Sequence, residues 1–312
     1  MQVTRARFLR LLAAGAAVLA TAPMRGAATP VARMHTRPIP STGEPLPIVG
    51  CGTWQGFDVA DDPAALAPLR GVLDALFAAG GSVIDTSPMY GRAEAAVGRL
   101  LADGGDRDRA FVATKVWTSG RAAGLAQMRA SLALLRTDRV ELMQVHNLVD
   151  AQAHWPVLRE SKAQGKARHL GLTHYTASAY AELEAAMQAL RPDFVQFDYS
   201  VSAREAERRL LPLAAGLGIA VLVNRPFGEG GLLRPLAGQP LPDFAADLGC
   251  RSWAQLLLKF VLGHAAVTCV IPGTGKPRHM ADNAAAGTGA MADAAQREAI
   301  VAAWRAAASA PR

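Results

Sequence analysis

From residue 63 onward the hydrophobic and polar positions alternate between two periods. Apolar residues recur every three to four positions over 64–79, 94–101, 125–135, 155–164, 177–190, 204–217, 252–263 and 294–307, the spacing of amphipathic helices. Between them lie short, nearly unbroken apolar runs at 83–85, 111–115, 140–146, 168–173, 194–197, 219–224 and 267–271. Such runs, bounded by breakers like Gly80-Gly81 and Pro88, read as buried strands. Strands alternating with helices predict a parallel sheet. Seven of them in one unbroken rhythm favour an α/β fold of the closed (β/α)8 TIM-barrel type over an open sheet. The remaining candidate for an eighth strand is 284–291, which is rich in Gly and Ala. Upstream, Arg37-Pro38-Ile39-Pro40 and Pro45-Leu46-Pro47-Ile48-Val49-Gly50 flank a Ser-Thr-Gly turn and predict an N-terminal β-hairpin.

Three of the apolar runs end in an ionisable group: Asp85, Lys115 and His146. Tyr90 follows Asp85 across the Pro88 turn. A carboxylate at the end of a buried strand is costly unless a cation pairs with it, and Lys115 is the candidate cation. Barrels of this type carry their active sites at the carboxyl ends of the strands, which is where these side chains fall. No glycine-rich dinucleotide fingerprint follows an early strand, which disfavours a doubly wound nucleotide domain.

The ordered set Asp85, Tyr90, Lys115 and His146 resembles the catalytic tetrad of the aldo/keto reductases. Its contexts carry the resemblance: Ile84-Asp85-Thr86-Ser87, Tyr90-Gly91, Thr114-Lys115 and Val145-His146-Asn147. The likeness runs from about Arg37 to the end of the chain. It implies a barrel whose hairpin closes the amino-terminal bottom, and hydride transfer to a carbonyl with Tyr90 as proton donor. A phenol has a reference pKa of about 10, and an adjacent ammonium lowers it, which is the role implied for Lys115. Asp85 would hold Lys115, and His146 would orient the substrate carbonyl.

The same resemblance implies residues for a nicotinamide cofactor held across the barrel top. They are Gly52-Thr53-Trp54, Asp85, Thr173-His174, Gln196 with Tyr199, Asn224-Arg225-Pro226-Phe227-Gly228, and Thr274, Lys276, Arg278 and Asn283. Arg225 stands where many members carry a ring that stacks on the nicotinamide, and a planar guanidinium can stack in its place. Lys276 and Arg278 offer charge for a 2′-phosphate, favouring NADPH. Gly273 occupies a position often held by Lys in the family, so NADH stays open. Trp54, Trp117 and Asn147 are expected to wall a pocket for a small aldehyde or ketone. Two alternatives remain: a non-catalytic NADP-binding sensor or accessory barrel, and an aldolase forming a Schiff base on Lys115.

Composition changes this picture mainly at the N-terminus. The chain has 312 residues, 51% hydrophobic and 19% charged, enough for one large core. The formal net charge is +7, but residues 1–40 carry six arginines and no acid, leaving +1 for the rest. No broad nucleic-acid-binding face is therefore expected. The three cysteines are far apart, with no Cys or His pairs at metal-ligand spacing. Arg5, Arg7 and Arg10 precede an apolar run from Leu11 to Ala22, then small residues and Pro-rich chain, as in an export signal. The run is too short and Ala-rich for a stable membrane span. Thr4-Arg5-Ala6-Arg7-Phe8-Leu9-Arg10 resembles the twin-arginine motif, except that Ala6 separates the arginines. The expected organisation is an export signal at 1–28, a linker at 29–36 and the barrel at 37–312. The expected product is a monomeric, periplasmic enzyme delivered by the export machinery.

Overall fold

The computed structural model describes residues 33–310. The expected export signal, residues 29–32 of the linker and the last two residues lie outside the described residues. Strands β1 (Thr36–Pro38) and β2 (Pro45–Pro47) form the expected antiparallel hairpin, with Arg37 opposite Leu46. Eight further strands follow: β3 (Cys51–Gly52), β4 (Val83–Asp85), β5 (Phe111–Val116), β6 (Val140–Val145), β7 (Ala167–Thr173), β8 (Phe194–Asp198), β9 (Ala220–Asn224) and β10 (Cys269–Val270). They pair in parallel, each with its sequence neighbour. The sheet closes on itself, because Gly50 N donates to Val270 O (2.9 Å), Val270 N to Ile48 O (2.9 Å) and Gly52 N to Pro272 O (3.2 Å). The (β/α)8 expectation holds.

The helices are α1 (Pro63–Ala78), α2 (Ala93–Gly104), α3 (Arg121–Leu134), α4 (Ala151–Ala163), α5 (Tyr180–Leu190), α6 (Leu210–Leu217), α7 (Trp253–Leu262), α8 (Pro277–Ala285) and α9 (Ala294–Ser309). Local chemistry sets their ends. In α1, Asp62 accepts from the amides of Ala64 and Ala65 at 3.0 Å, Pro63 takes the first turn, and Leu66, Leu69, Val72, Leu73, Leu76 and Phe77 form the buried face. Asp293 and Gln296 form a reciprocal capping box at the start of α9. The turns expected to continue α5 and α6 upstream are separate 3-10 turns, at Ala177–Ala179 and Glu205–Glu207.

The eighth strand is not where the sequence pattern puts it. Residues 284–291 finish α8 and then turn, while the eighth barrel strand is Cys51–Gly52 at the other end of the sheet. Glycine explains why it escapes a periodicity reading. A Cβ at Gly50 would lie 2.7 Å from Val83 Cβ, and one at Gly52 would lie 2.9 Å from Ile271 O. The closing strand must be short and bare to approach both neighbours.

Side chains alternate along each strand. On β5, Phe111 and Ala113 join the barrel interior, while Val112 and Val116 pack towards the helices. The interior is apolar at its amino-terminal end, where Val83, Phe111 and Phe194 meet Ile39 and Leu46 of the hairpin region. The same inward register, continued to the carboxyl ends, delivers Asp85, Lys115, Gln144 and Gln196. Gly171 keeps that layer possible, since a Cβ there would come within 2.8 Å of Gln144 Cγ.

Candidate active site

Asp85 is the hub of the upper layer. Lys115 Nζ donates to Asp85 Oδ2 at 2.7 Å and to Thr86 O at 2.8 Å. Gln196 Nε2 (2.9 Å) and Gln144 Nε2 (3.3 Å) both donate to Asp85 Oδ1. Thr53 fixes the same residue's backbone, its amide and hydroxyl each donating to Asp85 O at 3.0 Å. Lys115 is fully buried and Asp85 nearly so. Burial works against the Lys115 ammonium, but Asp85 and then Tyr90 hold its pKa above the ordinary value.

Tyr90 lies over this pair, with Lys115 Nζ 5.0 Å from its ring centroid. Burial raises the phenol's pKa, and the Lys115 charge, with its side-chain hydrogen bond, opposes the rise without cancelling it. The net shift is upward, against the fall expected from Lys115 alone, and keeps the phenol a proton-bearing group at neutral pH. His146 meets Tyr90 edge-on, 5.8 Å between centroids. Its pKa is pushed down to about 2 by burial, then by the charges of Lys115 and His174, so the ring is neutral. Its Nδ1 lies 3.0 Å from Ser87 Oγ.

Tyr90, His146 and Asp85 face a cavity of about 740 Å³, within the usual range for ligand sites. Of the residues expected at a cofactor, Gly52, Thr53, Trp54, Thr173, Gln196, Asn224, Arg225, Pro226, Phe227, Thr274 and Asn283 line it. The structure leaves others off the wall. His174 accepts from the amides of Tyr175 (3.0 Å) and Thr176 (3.3 Å), shaping the loop after β7. Gly228 forms a turn by donating to Arg225 O at 2.9 Å. Tyr199 is buried in the core and donates to Glu207. Lys276 and Arg278 are exposed at the amino end of α8, beside the lining residues Thr274, His279, Asp282 and Asn283. Lys115 sits beneath the wall.

Trp54 and Asn147 line the cavity, while Trp117 stands at its edge, 6.3 Å from the His146 ring. Gln127 clamps Trp117 at both backbone groups, accepting from its amide at 2.6 Å and donating to its carbonyl at 3.1 Å. Asn147 adopts φ +53°, and its amide donates to Thr173 Oγ1 at 3.2 Å. Arg225 is already engaged. It donates to Tyr175 O (3.2 Å), pairs with Glu229 (3.0 Å) and holds its guanidinium 5.4 Å from the Tyr175 ring centroid.

Sequence reasoning missed Gln144 and the lining residues Gln55, Met89, Tyr175, Glu229, Gly230, Leu233, Ala254 and Asp282, whereas Ile271, Gly273 and His279 lie in the segment expected to bind the adenosine end of the cofactor. Gln144 carried a usable signal: it is polar within an apolar strand, two residues before His146 and so on the same face. His279, Asp282 and Asn283 follow the i, i+3, i+4 spacing of one helix face, a pattern that the cofactor-binding reading of 271–279 and Asn283 passes over. The loop residues carry no periodic signal.

A carbonyl-reducing class of enzyme is what a barrel with this buried acid–lysine pair, phenol and neutral imidazole at its carboxyl end defines. A family model described as the Aldo/keto reductase family matches residues 49–304. The chain belongs to that family. Methylglyoxal reductase YeaE of Escherichia coli is 31% identical over 248 residues, covering 77% of this chain and 85% of the relative. Aldo-keto reductase YhdN of Bacillus subtilis is 29% identical over 217 residues, 63% of each chain. The crystal structure of a Klebsiella pneumoniae aldo-keto reductase in complex with NADPH superposes with a TM-score of 0.72. It is 27% identical, and the match covers 89% of this chain and 97% of that one.

Proposed function

We propose that this protein reduces a small aldehyde or ketone to the alcohol with NADPH, using Tyr90 as the proton donor. The observation that carries the reading is the buried Asp85–Lys115 pair beneath Tyr90, which faces a ligand-sized cavity. The cavity residues fit the cofactor. Asn224 Oδ1 is buried with no partner among the described residues, an acceptor suited to a carboxamide N–H, and its Nδ2 is fixed on His174 O at 3.0 Å. Lys276 and Arg278 offer charge for a 2′-phosphate at the start of α8. The solved relative from Klebsiella pneumoniae, whose complex holds NADPH, supports the same choice.

NADPH, when bound, supplies the hydride to the carbonyl carbon. His146 orients the carbonyl oxygen by a hydrogen bond. Tyr90 gives that oxygen its proton, Lys115 steadies the resulting phenolate, and Asp85 keeps Lys115 charged and aimed. Trp54 and Asn147 wall the substrate, with Trp117 beside them near His146. A Schiff base on Lys115 is not supported, because its Nζ is fully buried, doubly hydrogen-bonded and shielded by Tyr90. The test is NADPH and NADH titration of the purified protein, then absorbance decay across an aldehyde panel that begins with methylglyoxal, the compound named for the YeaE relative. Turnover with NADPH supports the reductase. Tight binding with no decay would leave a sensor, and no binding would remove the cofactor assignment.

The amino-terminal arginines and apolar run support delivery to the periplasm. Cell fractionation and the N-terminal sequence of the mature chain test this, and a full-length cytoplasmic protein would refute it.

A further inference from the structure

Ser87 is fully buried immediately after Thr86, in the turn that carries Tyr90. Its hydroxyl accepts from Met89 N at 3.2 Å and lies 3.0 Å from His146 Nδ1. Those are its hydrogen-bond partners among the described residues. Met89 N can only donate, so the Ser87 hydroxyl hydrogen has one acceptor available, His146 Nδ1. If Nδ1 instead carried the imidazole proton, it would donate to Ser87 Oγ and leave the hydroxyl hydrogen buried with nowhere to go, an arrangement that folded proteins avoid. A hydroxyl that accepts from Met89 and donates to His146 satisfies every group.

We infer that Ser87 is a positioning residue that fixes His146 as its Nε2–H tautomer, aiming a neutral donor at the substrate carbonyl. The second ring nitrogen sets the first, as a rule for imidazoles held by one neighbour. His146 Nε2 has no protein partner among the described residues, so its hydrogen is available to a ligand in the cavity that His146 lines. Ser87 also ties the two halves of the site together, since its carbonyl accepts from Tyr90 N at 3.0 Å. One residue thus holds the backbone of the proton donor and the ring that orients the carbonyl.

The kinetic consequence rests on the reductase reading, but the tautomer can be read without turnover. The experiment is nitrogen-15 NMR of histidine-labelled protein, with the His146 signals assigned by their loss in His146→Gln. Wild type is expected to show a protonated Nε2 and an unprotonated Nδ1 at neutral pH. Ser87→Ala is expected to shift the Nδ1 signal and populate the second tautomer, while kcat/KM falls roughly tenfold, about the worth of one hydrogen bond. NADPH affinity is expected to stay within about twofold of wild type, because Ser87 lies outside the cavity wall. A protonated Nδ1 in wild type would overturn the proposal, whether or not the variant folds. So would a Ser87→Ala protein with unchanged His146 signals. A wild type that reduces no carbonyl yet shows the Nε2–H tautomer would sink the reductase reading and leave the Ser87 assignment standing.

Discussion

At the amino-terminal end of the barrel interior, His169 stacks on Phe111 with 6.1 Å between ring centroids and meets Phe194 at 5.4 Å. Among the described residues neither of its ring nitrogens has a hydrogen-bond partner, and the Glu44 carboxylate stands 3.7 Å away. At the carboxyl-terminal end, His146 is equally enclosed, yet its Nδ1 is held by Ser87 and its edge meets Tyr90. Burial lowers the pKa of both, so perturbed titration alone does not distinguish a site from packing. What distinguishes them is direction: one ring is filler, and the other presents a donor to a cavity.

The two buried lysines divide in the same way. Lys259 donates to the carbonyls of Thr288 and Ala290, and burial lowers its pKa. Lys115 has a carboxylate partner and a raised pKa. A lysine facing neutral carbonyls ties a loop down. A lysine facing an acid stays charged and can stabilise a phenolate above it.

The sharpest way to break this contrast is Lys115→Met. It should reduce kcat by roughly 10²–10⁴-fold, the usual weight of an acid–base apparatus. It should also destabilise the fold by about 3–5 kcal/mol, because Asp85 is left buried without its cation. Denaturant unfolding checks the second effect, and Lys115→Met with Asp85→Asn should regain part of the lost stability. A single variant as stable as wild type would contradict the pairing.

A smaller effect is expected at the edge of the cavity. Replacing Lys276 and Arg278 together by alanine should weaken NADPH by roughly tenfold or more, with NADH little changed, as for lost contacts to a phosphate. Fluorescence titration of both nucleotides reads this, and equal losses would show that the two side chains do not sense the 2′-phosphate.

The smallest effect sharpens the histidine comparison. His169 has a folded pKa below its ordinary 6.5, through burial and the nearby Arg168 and Lys162, with Asp193 and Glu44 opposing. The unfolded chain therefore binds its proton first. Stability is unaffected by this residue above about pH 6.5 and falls as pH drops below it. His169→Leu should flatten that part of the melting-temperature profile without touching turnover. An unchanged acid slope would show that His169 is not held neutral in the fold.

Much of this layout was legible in the sequence. The strands that deliver Asp85, Lys115 and His146 are mainly apolar runs with an ionisable residue at or near the carboxyl end, and such a pattern survives without tertiary information. The hairpin announced itself by prolines around a Ser-Thr-Gly turn. The closing strand did not, because Gly50-Cys51-Gly52 is bare for steric reasons and too short to show a period. Helix α8 was overlooked for its opposite fault: Lys276, Arg278 and Asn283 drew a ligand-binding reading that hid the helical spacing. Met89, Tyr175 and Glu229 reach the cavity from loops, where position is set by the ends of the strands and leaves no mark in the pattern.

The central claim is that chemistry resides at the carboxyl end of the barrel, with Tyr90 as its proton donor. The most direct test places Tyr90→Phe and His169→Leu in one assay, at saturating NADPH with the best substrate from the aldehyde panel. Tyr90→Phe is predicted to lose roughly 10²–10⁴-fold in kcat while still binding NADPH, and His169→Leu to turn over like wild type. Substantial turnover by Tyr90→Phe, or an equal loss in both variants, would contradict the account.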